Sequence, residues 1–228
     1  MKYKIKKFQI SCDGGAATGK STGARMISKK YNLNFLSSGL LYRYASYLII
    51  MYNPKNKISF LKRKFGSLKY EKLKKINLHT PKISEYSAVI AKEKKIRKIL
   101  KKFQISFSKK NKNCCIEGRD ISTKILPNSD LKFFFKCNLN IAASRRYKEM
   151  KKRNPNIKKN DVKKALKIRN ILDTKRKNSP LLKHRDSVEI DTGKLDKRAM
   201  LHKMSRFVER ELKKKYGNWT RTKEKPNS

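Results

Sequence analysis

Eight residues near the amino terminus have the types and spacing of a loop that binds phosphate groups. Residues 14–21 read Gly-Gly-Ala-Ala-Thr-Gly-Lys-Ser and match G-x-x-x-x-G-K-[ST] at every fixed position. In such a loop the glycines let successive N–H groups converge on phosphate oxygens, and Lys20 reaches the β- and γ-phosphates. The Ser21 hydroxyl ligates the Mg²⁺ that is bound with the nucleotide. The predicted triphosphate-binding residues are Gly14, Gly15, Ala16, Ala17, Thr18, Gly19, Lys20, Ser21 and Thr22.

The residues on either side of this loop favour the same chemistry over a chance match. The apolar residues Phe8, Ile10 and Cys12 before the loop predict a strand. The segment 19–31 after it has the spacing of a helix and contains no proline. A helix that begins at the loop also directs the positive end of its dipole towards an anion.

The rest of the chain alternates between short apolar runs and long lysine-rich segments with helical spacing. Strands are predicted at 6–12, 34–36, 113–116, 131–137 and 187–191, and helices at 38–51, 81–103, 141–152, 161–176 and 195–216. Asn160 or Asp161 is the expected cap of the fourth of these helices. Residues 52–80 have no clear pattern, and residues 217–228 are expected to form a tail. This alternation predicts an α/β fold with a parallel sheet that is covered on both faces.

The composition limits the classes of partner. The net charge is +45, from 62 basic and 17 acidic residues, which is typical of proteins that bind polyanions. The lysines are spread along the whole chain, so most of this charge is expected to be solvated surface whose affinity for polyanions is weakened by salt. The four cysteines form no C-x-x-C pair, and no apolar run approaches the ~18 residues of a membrane span. We therefore expect free thiols, a reducing cytoplasmic location and no membrane partner.

Three further groups of residues combine glycine turns with arginine or acidic side chains. Ser38-Gly39 precedes Tyr42-Arg43 at the start of a predicted helix, and Glu117-Gly118-Arg119-Asp120 follows the third strand. Arg169, Asp173 and Arg176 share one helical face by their spacing. Each group has a structural alternative, namely a helix cap, a glycine turn with an ion pair, and a surface ladder of charges. Arg145 and Arg146 are either phosphate contacts or plain surface.

Taken in order, these motifs resemble the bacterial cytidylate kinase family over residues 6 to 205. The resemblance implies a P-loop NTPase three-layer fold with a five-stranded parallel sheet, a small lobe that binds the nucleoside monophosphate (NMP), and a lid. It implies transfer of the γ-phosphoryl group of ATP to CMP or dCMP with Mg²⁺. The implied organisation is one domain over 1–216, with a core at 1–52 and 81–205, a shortened NMP-lobe insert at 53–80 and a lid at 145–180.

The resemblance also implies roles for individual residues. Lys20, Arg146, Arg169 and Arg176 would act on the transferred phosphoryl group, and Arg145 would bind ATP. The implied CMP-binding residues are Ser38, Tyr42, Arg43, Arg97, Arg119, Asp120, Arg169, Asp173 and Arg176. The implied partners are ATP, CMP and dCMP, with no specific nucleic acid and a monomeric chain.

The chain departs from the family pattern at three positions. A family serine that contacts the base falls on Ala88, with Ser87 beside it, a lid arginine falls on Leu172, and an arginine before a Thr-Pro pair is His79. These changes concern base selectivity more than reaction type. The alternative hypotheses are a P-loop ATPase or nucleic-acid-binding protein that uses the basic surface, a kinase of another monophosphate such as UMP, and a kinase-like chain that has lost activity.

Overall fold

A computed structural model describes residues 6–152 and 154–217, apart from the side chain of Lys74. The strands are β1 Phe8–Gly14, β2 Asn34–Ser37, β3 Asn113–Gly118, β4 Leu131–Lys136 and β5 Val188–Asp191. The helices are α1 Lys20–Lys30, α2 Ser38–Tyr52, α3 Lys57–Gly66, α4 Pro81–Ile90, α5 Lys94–Lys110, α6 Leu139–Lys151, α7 Lys159–Lys175 and α8 Lys197–Tyr216. A 3₁₀ helix spans Tyr70–Lys75, and a single π-helical turn spans Ile121–Ile125.

The strands form one sheet in the order β2-β3-β1-β4-β5. Strand β1 runs parallel to both of its neighbours, and β5 runs parallel to β4. The register pairs Cys12 with Glu117 and Asp13 with Gly118, so the ends of β1 and β3 lie side by side. The predicted α/β class with a five-stranded parallel sheet is confirmed.

The described residues form two compact units. The first contains the chain up to Phe35 and from Asn111 onwards, and the second is Leu36–Lys110. The second unit contains the predicted insert 53–80 together with α2, α4 and α5. The division into core, insert and lid stays a prediction, and nearly all of the predicted tail, residues 218–228, lies outside the described residues.

The core of the first unit lies between one face of the sheet and helices α1 and α8. Alternate residues of β1, namely Phe8, Ile10 and Cys12, are fully buried because the pleat directs every second side chain to the same face. They pack with Ile27 of α1 and Met204 of α8. This packing fixes α1, and therefore the loop before it, on the end of β1.

The second unit contains helices and the 3₁₀ segment. Helix α2 packs on α4, and α3 packs on α5. Aromatic contacts join them, since the rings of Tyr44 and Phe65 lie 5.7 Å apart and those of Phe65 and Phe103 lie 5.9 Å apart. Residues 53–80, which had no clear pattern in the sequence, form α3 and the 3₁₀ helix.

Two local predictions are wrong. The single helix predicted at 81–103 is two helices, α4 and α5. Between them the N–H groups of Lys92 and Glu93 donate to carbonyls three residues earlier, and not four as in an α-helix. The Arg97 guanidinium donates to the Ala91 carbonyl at 3.1 Å. Helix α7 begins at Lys159, so neither Asn160 nor Asp161 is its cap, and its cap residue Lys158 makes no side-chain bond. Asp161 instead lies in the first turn, where its negative charge interacts favourably with the positive end of the helix dipole.

Within residues 6–152 and 154–217, no helix combines the length and the apolar content that crossing a membrane requires.

Candidate active site

The predicted phosphate loop joins the end of β1 to the start of α1. Gly14 has a φ of 154°, and a Cβ atom there would lie 2.4 Å from the Phe135 carbonyl oxygen, so no larger residue fits. Gly19 caps α1 with a left-handed φ of 76°. The Thr18 hydroxyl donates to the Gly15 carbonyl at 3.1 Å and closes the turn from inside. The sequence prediction of strand, loop and helix is confirmed.

Lys20, the first residue of α1, is paired with Glu117 at the end of β3. The distance from Lys20 Nζ to Glu117 Oε2 is 2.7 Å, and the two side chains are only 6% and 4% exposed. Burial lowers the pKa of Lys20, and Glu117 opposes this effect, while nearby Arg119 adds to it. The loop lysine is thus held in place by a buried carboxylate.

Asp13, the penultimate residue of β1, has a structural role. Its carboxylate accepts the backbone N–H groups of Ile121 and Ser122, at 2.8 and 2.7 Å, and the Ser122 hydroxyl at 2.6 Å. Burial raises its pKa, although these hydrogen bonds lower it. Asp13 therefore anchors the π-helical turn after β3.

A second cluster of charges joins the turn after β3 to the end of α7. Arg119 Nε donates to Asp173 Oδ2 at 2.7 Å, with side chains 16% and 15% exposed. Arg176 lies 3.5 Å from Asp173 and 3.9 Å from Asp120. Burial alone would raise the pKa of Asp173, but Arg119, Arg169 and Arg176 lower it below its ordinary value.

This cluster differs from the sequence expectation in two details. Arg119 forms its ion pair with Asp173 and not with the adjacent Asp120. Helix α7 ends at Lys175, so Arg176 follows the helix in extended backbone instead of continuing its face. The Arg176 side chain still lies 3.5 Å from Asp173, and its Nε donates to the Ser179 carbonyl at 2.6 Å.

The two neighbouring arginines on α6 have different contacts. Arg145 donates to the hydroxyl and the carbonyl of Thr192, at 3.0 and 2.7 Å, and the Thr192 hydroxyl donates to the Thr18 carbonyl at 2.8 Å. Arg145 is therefore linked to the phosphate loop through Thr192. Arg146 pairs instead with the exposed Glu149 on its own helix, at 2.8 Å.

The second unit contains the remaining predicted residues. Ser38 is the buried first residue of α2, and the Ser37 hydroxyl caps this helix by accepting the Leu40 N–H at 3.3 Å. The Arg97 guanidinium lies over the Tyr42 ring, 5.7 Å from its centre. Arg97 and Tyr42 are thus brought together, and Arg43 lies one residue further along α2.

Two departures from the family pattern also lie in this unit. Beside Ala88, the Ser87 hydroxyl donates its proton to the Ser84 carbonyl at 2.6 Å, inside α4. The backbone N–H of His79 donates to the Asn77 side chain at 3.4 Å.

Glu117, which contacts the loop lysine, and Ser21, which follows it, are a carboxylate and a hydroxyl that are candidate metal ligands. Among residues 6–152 and 154–217 no three His, Cys, Asp or Glu side chains are grouped as metal ligands. Ser21 lies next to Lys20 on α1, and Glu117 contacts Lys20, so an oxygen-only donor set of this kind fits Mg²⁺ that is held largely by phosphate oxygens.

Sequence reasoning missed two residues that the structure places in the site. Glu117 was noted only as part of the turn after β3, although a lone acid at the end of an apolar strand next to a phosphate loop is itself a signal. Asn170 was not singled out at all, yet its side-chain oxygen accepts the Ala16 N–H of the phosphate loop at 3.2 Å.

Known proteins resemble this chain over most of its length. A family model described as cytidylate kinase matches residues 10–210. The chain is 34% identical to the cytidylate kinase of Bartonella tribocorum, over 84% of this chain and 89% of that protein. It is 33% identical to the cytidylate kinase of Mesomycoplasma hyopneumoniae, over 91% and 96%. An uncharacterized protein from Eubacterium ventriosum shares the fold, with a TM-score of 0.51 at 14% identity over 90% of this chain and 99% of that one.

Proposed function

We propose that this chain, which belongs to the cytidylate kinase family, transfers the γ-phosphoryl group of ATP to CMP or dCMP and releases ADP with CDP or dCDP. The observation that carries the proposal is the arrangement at the ends of β1 and β3. There the phosphate loop with its buried Lys20 adjoins a set of paired arginines and acids that the sequence matched to this family. Phosphoryl transfer needs positioning and charge neutralisation more than covalent chemistry, and this arrangement supplies both.

Lys20 has a defined task in this proposal. A buried ammonium group with a lowered pKa gains strongly from a second anionic partner, so the β- and γ-phosphates bind where Lys20 Nζ already lies. Glu117 keeps Lys20 charged and oriented before the nucleotide arrives. The N–H groups of Gly15 to Ser21 then provide the remaining donors to the phosphates.

Mg²⁺ is proposed as the metal that accompanies ATP, and the residues present fit it. The Ser21 hydroxyl and the Glu117 carboxylate would hold it together with phosphate oxygens. When bound, it neutralises charge on the β- and γ-phosphates. Asp13 is not included in this proposal, since its carboxylate already accepts three hydrogen bonds from the turn after β3.

The arginine cluster provides the acceptor side. Arg119 and Asp120 are proposed to recognise cytosine, whose ring presents both donors and acceptors. Asp173 is proposed to bind the sugar, and Arg169 and Arg176 the phosphates. Asp173 stays ionised because its pKa is lowered by the surrounding guanidinium groups, and it holds Arg119 in a fixed orientation. Ser38, Tyr42, Arg43 and Arg97 of the second unit are proposed to bind the CMP phosphate and sugar.

Arg145 and Arg146 differ in what supports a role with ATP. The chain of hydrogen bonds from Arg145 through Thr192 to Thr18 links Arg145 to the loop, which supports a contact with ATP. Arg146 would first have to leave Glu149. We also propose that the protein works as a monomer, and in a reducing cytoplasm that would keep the neighbouring thiols of Cys12 and Cys115, 3.7 Å apart, reduced.

A coupled assay that follows ADP release tests the function. The purified full chain is given ATP, Mg²⁺ and one of CMP, dCMP, UMP or AMP, and turnover is expected with CMP or dCMP. A Lys20→Ala, Glu117→Gln double variant serves as the control for contaminating kinases, because it removes both charges of the buried pair. Absence of turnover on CMP and dCMP would overturn the proposal, and ADP release that needs no acceptor would favour a P-loop ATPase.

A further inference from the structure

Asn170 of α7 forms a hydrogen bond with the phosphate loop, and none of the roles described above includes it. Its side-chain oxygen accepts the N–H of Ala16 at 3.2 Å, across 154 positions of sequence. A Cβ atom on Gly15 would lie 3.1 Å from the same oxygen, so the glycine is what lets the amide approach the loop so closely. The contact therefore depends on the shapes of both partners.

The position of Asn170 on α7 explains why this contact matters. Val162, Leu166 and Asn170 follow each other at four-residue intervals, so they lie on one face of the helix. Val162 and Leu166 pack with Ala16 in a small buried cluster, and Asp173 lies three residues after Asn170. Along α7, apolar packing by Val162 and Leu166 is therefore followed by the hydrogen bond of Asn170 with the loop, and then by the ion pair of Asp173 with Arg119.

We propose that Asn170 is a positioning residue that fixes the register of α7 on the phosphate loop, so that Asp173 and Arg119 meet beside the loop lysine. An apolar cluster of Ala16, Val162 and Leu166 is not directional, and it permits small shifts of a helix along its axis. A hydrogen bond to one backbone N–H is directional and removes that freedom. A displacement of about 1 Å in a catalytic arrangement costs up to about 100-fold in rate, so the register of α7 has a direct effect on turnover.

Two nearly isosteric variants separate the accepted hydrogen bond from the size of the side chain. Asn170→Leu removes the acceptor, and Asn170→Asp keeps it. We expect kcat at saturating ATP and CMP to fall about tenfold in Asn170→Leu and to stay within about threefold of wild type in Asn170→Asp. The added charge of Asp changes the KM for ATP and not kcat. Ile168→Ala, on an exposed part of α7, is the matched control and is expected to behave as wild type.

Amide hydrogen exchange at Ala16 gives a readout that does not depend on activity. In the nucleotide-free protein this N–H should exchange about tenfold faster in Asn170→Leu than in wild type, and at the wild-type rate in Asn170→Asp. If the leucine variant does not fold, Asn170→Ala takes its place.

The inference fails if Ala16 exchange is unchanged in Asn170→Leu, or if the two variants lose kcat equally. Its kinetic part rests on the proposed function. If the wild-type chain makes no CDP while Ala16 exchange responds as expected, the proposed function fails and the positioning role stands.

Discussion

Glu117→Gln tests how the phosphate loop keeps a charged lysine in a buried position. The substitution preserves the size of the side chain and removes its charge. In the free protein Glu117 lies 2.7 Å from Lys20 Nζ, and neither side chain is more than 6% exposed. Lys20 would therefore be left as a buried cation next to Arg119, without its acidic partner.

The expected loss of stability is large. Removal of one member of a buried ion pair costs about 3–5 kcal/mol, because the remaining charge is left uncompensated. A chain of this size loses about 2–4 °C of Tm for each kcal/mol. We therefore expect the Tm of Glu117→Gln to lie about 6–20 °C below that of wild type at neutral pH.

Thermal unfolding followed by circular dichroism, without nucleotide, is the direct measurement. Glu189→Gln is the matched control, since Glu189 also pairs with a lysine, Lys136 at 2.5 Å, but on the surface. Exposed pairs contribute about 0–1 kcal/mol, so its Tm should change by no more than about 4 °C.

The pH dependence of the loss has a definite sign. Burial lowers the pKa of Lys20, and loss of Glu117 lowers it further, whereas the unfolded chain keeps an ordinary value of 10.5. The difference between variant and wild type is full where Lys20 is charged in both folded proteins, and it shrinks as the pH rises through the lowered pKa of Lys20, because the folded variant loses this proton before wild type does. A Tm within about 2 °C of wild type at neutral pH would refute the idea that Glu117 neutralises Lys20.

Three further changes test other parts of the structure. Arg119→Ala should lower kcat/KM for CMP about 10- to 100-fold in steady-state kinetics, because a charge-assisted contact is lost on the acceptor side. The KM for ATP should stay within about threefold of wild type. Equal losses for both substrates would contradict this role. Gly23→Ala should cost about 1–3 kcal/mol in denaturant unfolding, since its Cβ would lie 2.8 Å from the Phe135 ring; unchanged stability would show that the ring can move aside. Because the pKa of Asp173 is lowered, this residue contributes its full stabilisation above its ordinary pKa of 3.8 and loses it as the pH falls below that value. Wild type and Asp173→Asn should therefore converge in stability at acid pH.

The strands were predictable because their signal is local. Every predicted strand exists, and the ends differ by at most two residues at either end. Apolar runs in this chain are short and bounded by polar residues, so their hydrophobicity alone marks them in the sequence. Strand β1 begins at Phe8 and not at Lys6, and the Phe8 N–H bonds the Asn113 side chain, a partner 105 residues away that no local pattern reveals.

The break between α4 and α5 could not be predicted for a related reason. Residues 91–94 are Ala-Lys-Glu-Lys, all good helix formers, and neither proline nor glycine interrupts them. Where the helix ends, the Arg97 side chain donates to the Ala91 carbonyl, a contact from outside the local sequence pattern. The family resemblance assigns Arg97 to the substrate phosphate. The structure adds a contact of this side chain with the Ala91 carbonyl that the sequence does not indicate.

Acidic residues indicate this site better than basic ones do, and the reason is their scarcity. With 62 basic residues in 228, an arginine or lysine at any position says little about function. Among the acidic side chains that the structure describes, the buried ones are Asp13, Glu117 and Asp120, and all three lie at the ends of β1 and β3. Burial of a carboxylate is unfavourable unless it is hydrogen-bonded or paired. Three such groups at one edge of the sheet therefore mark the place where the fold must hold cations and turns in fixed positions, and that place is the edge that carries the phosphate loop.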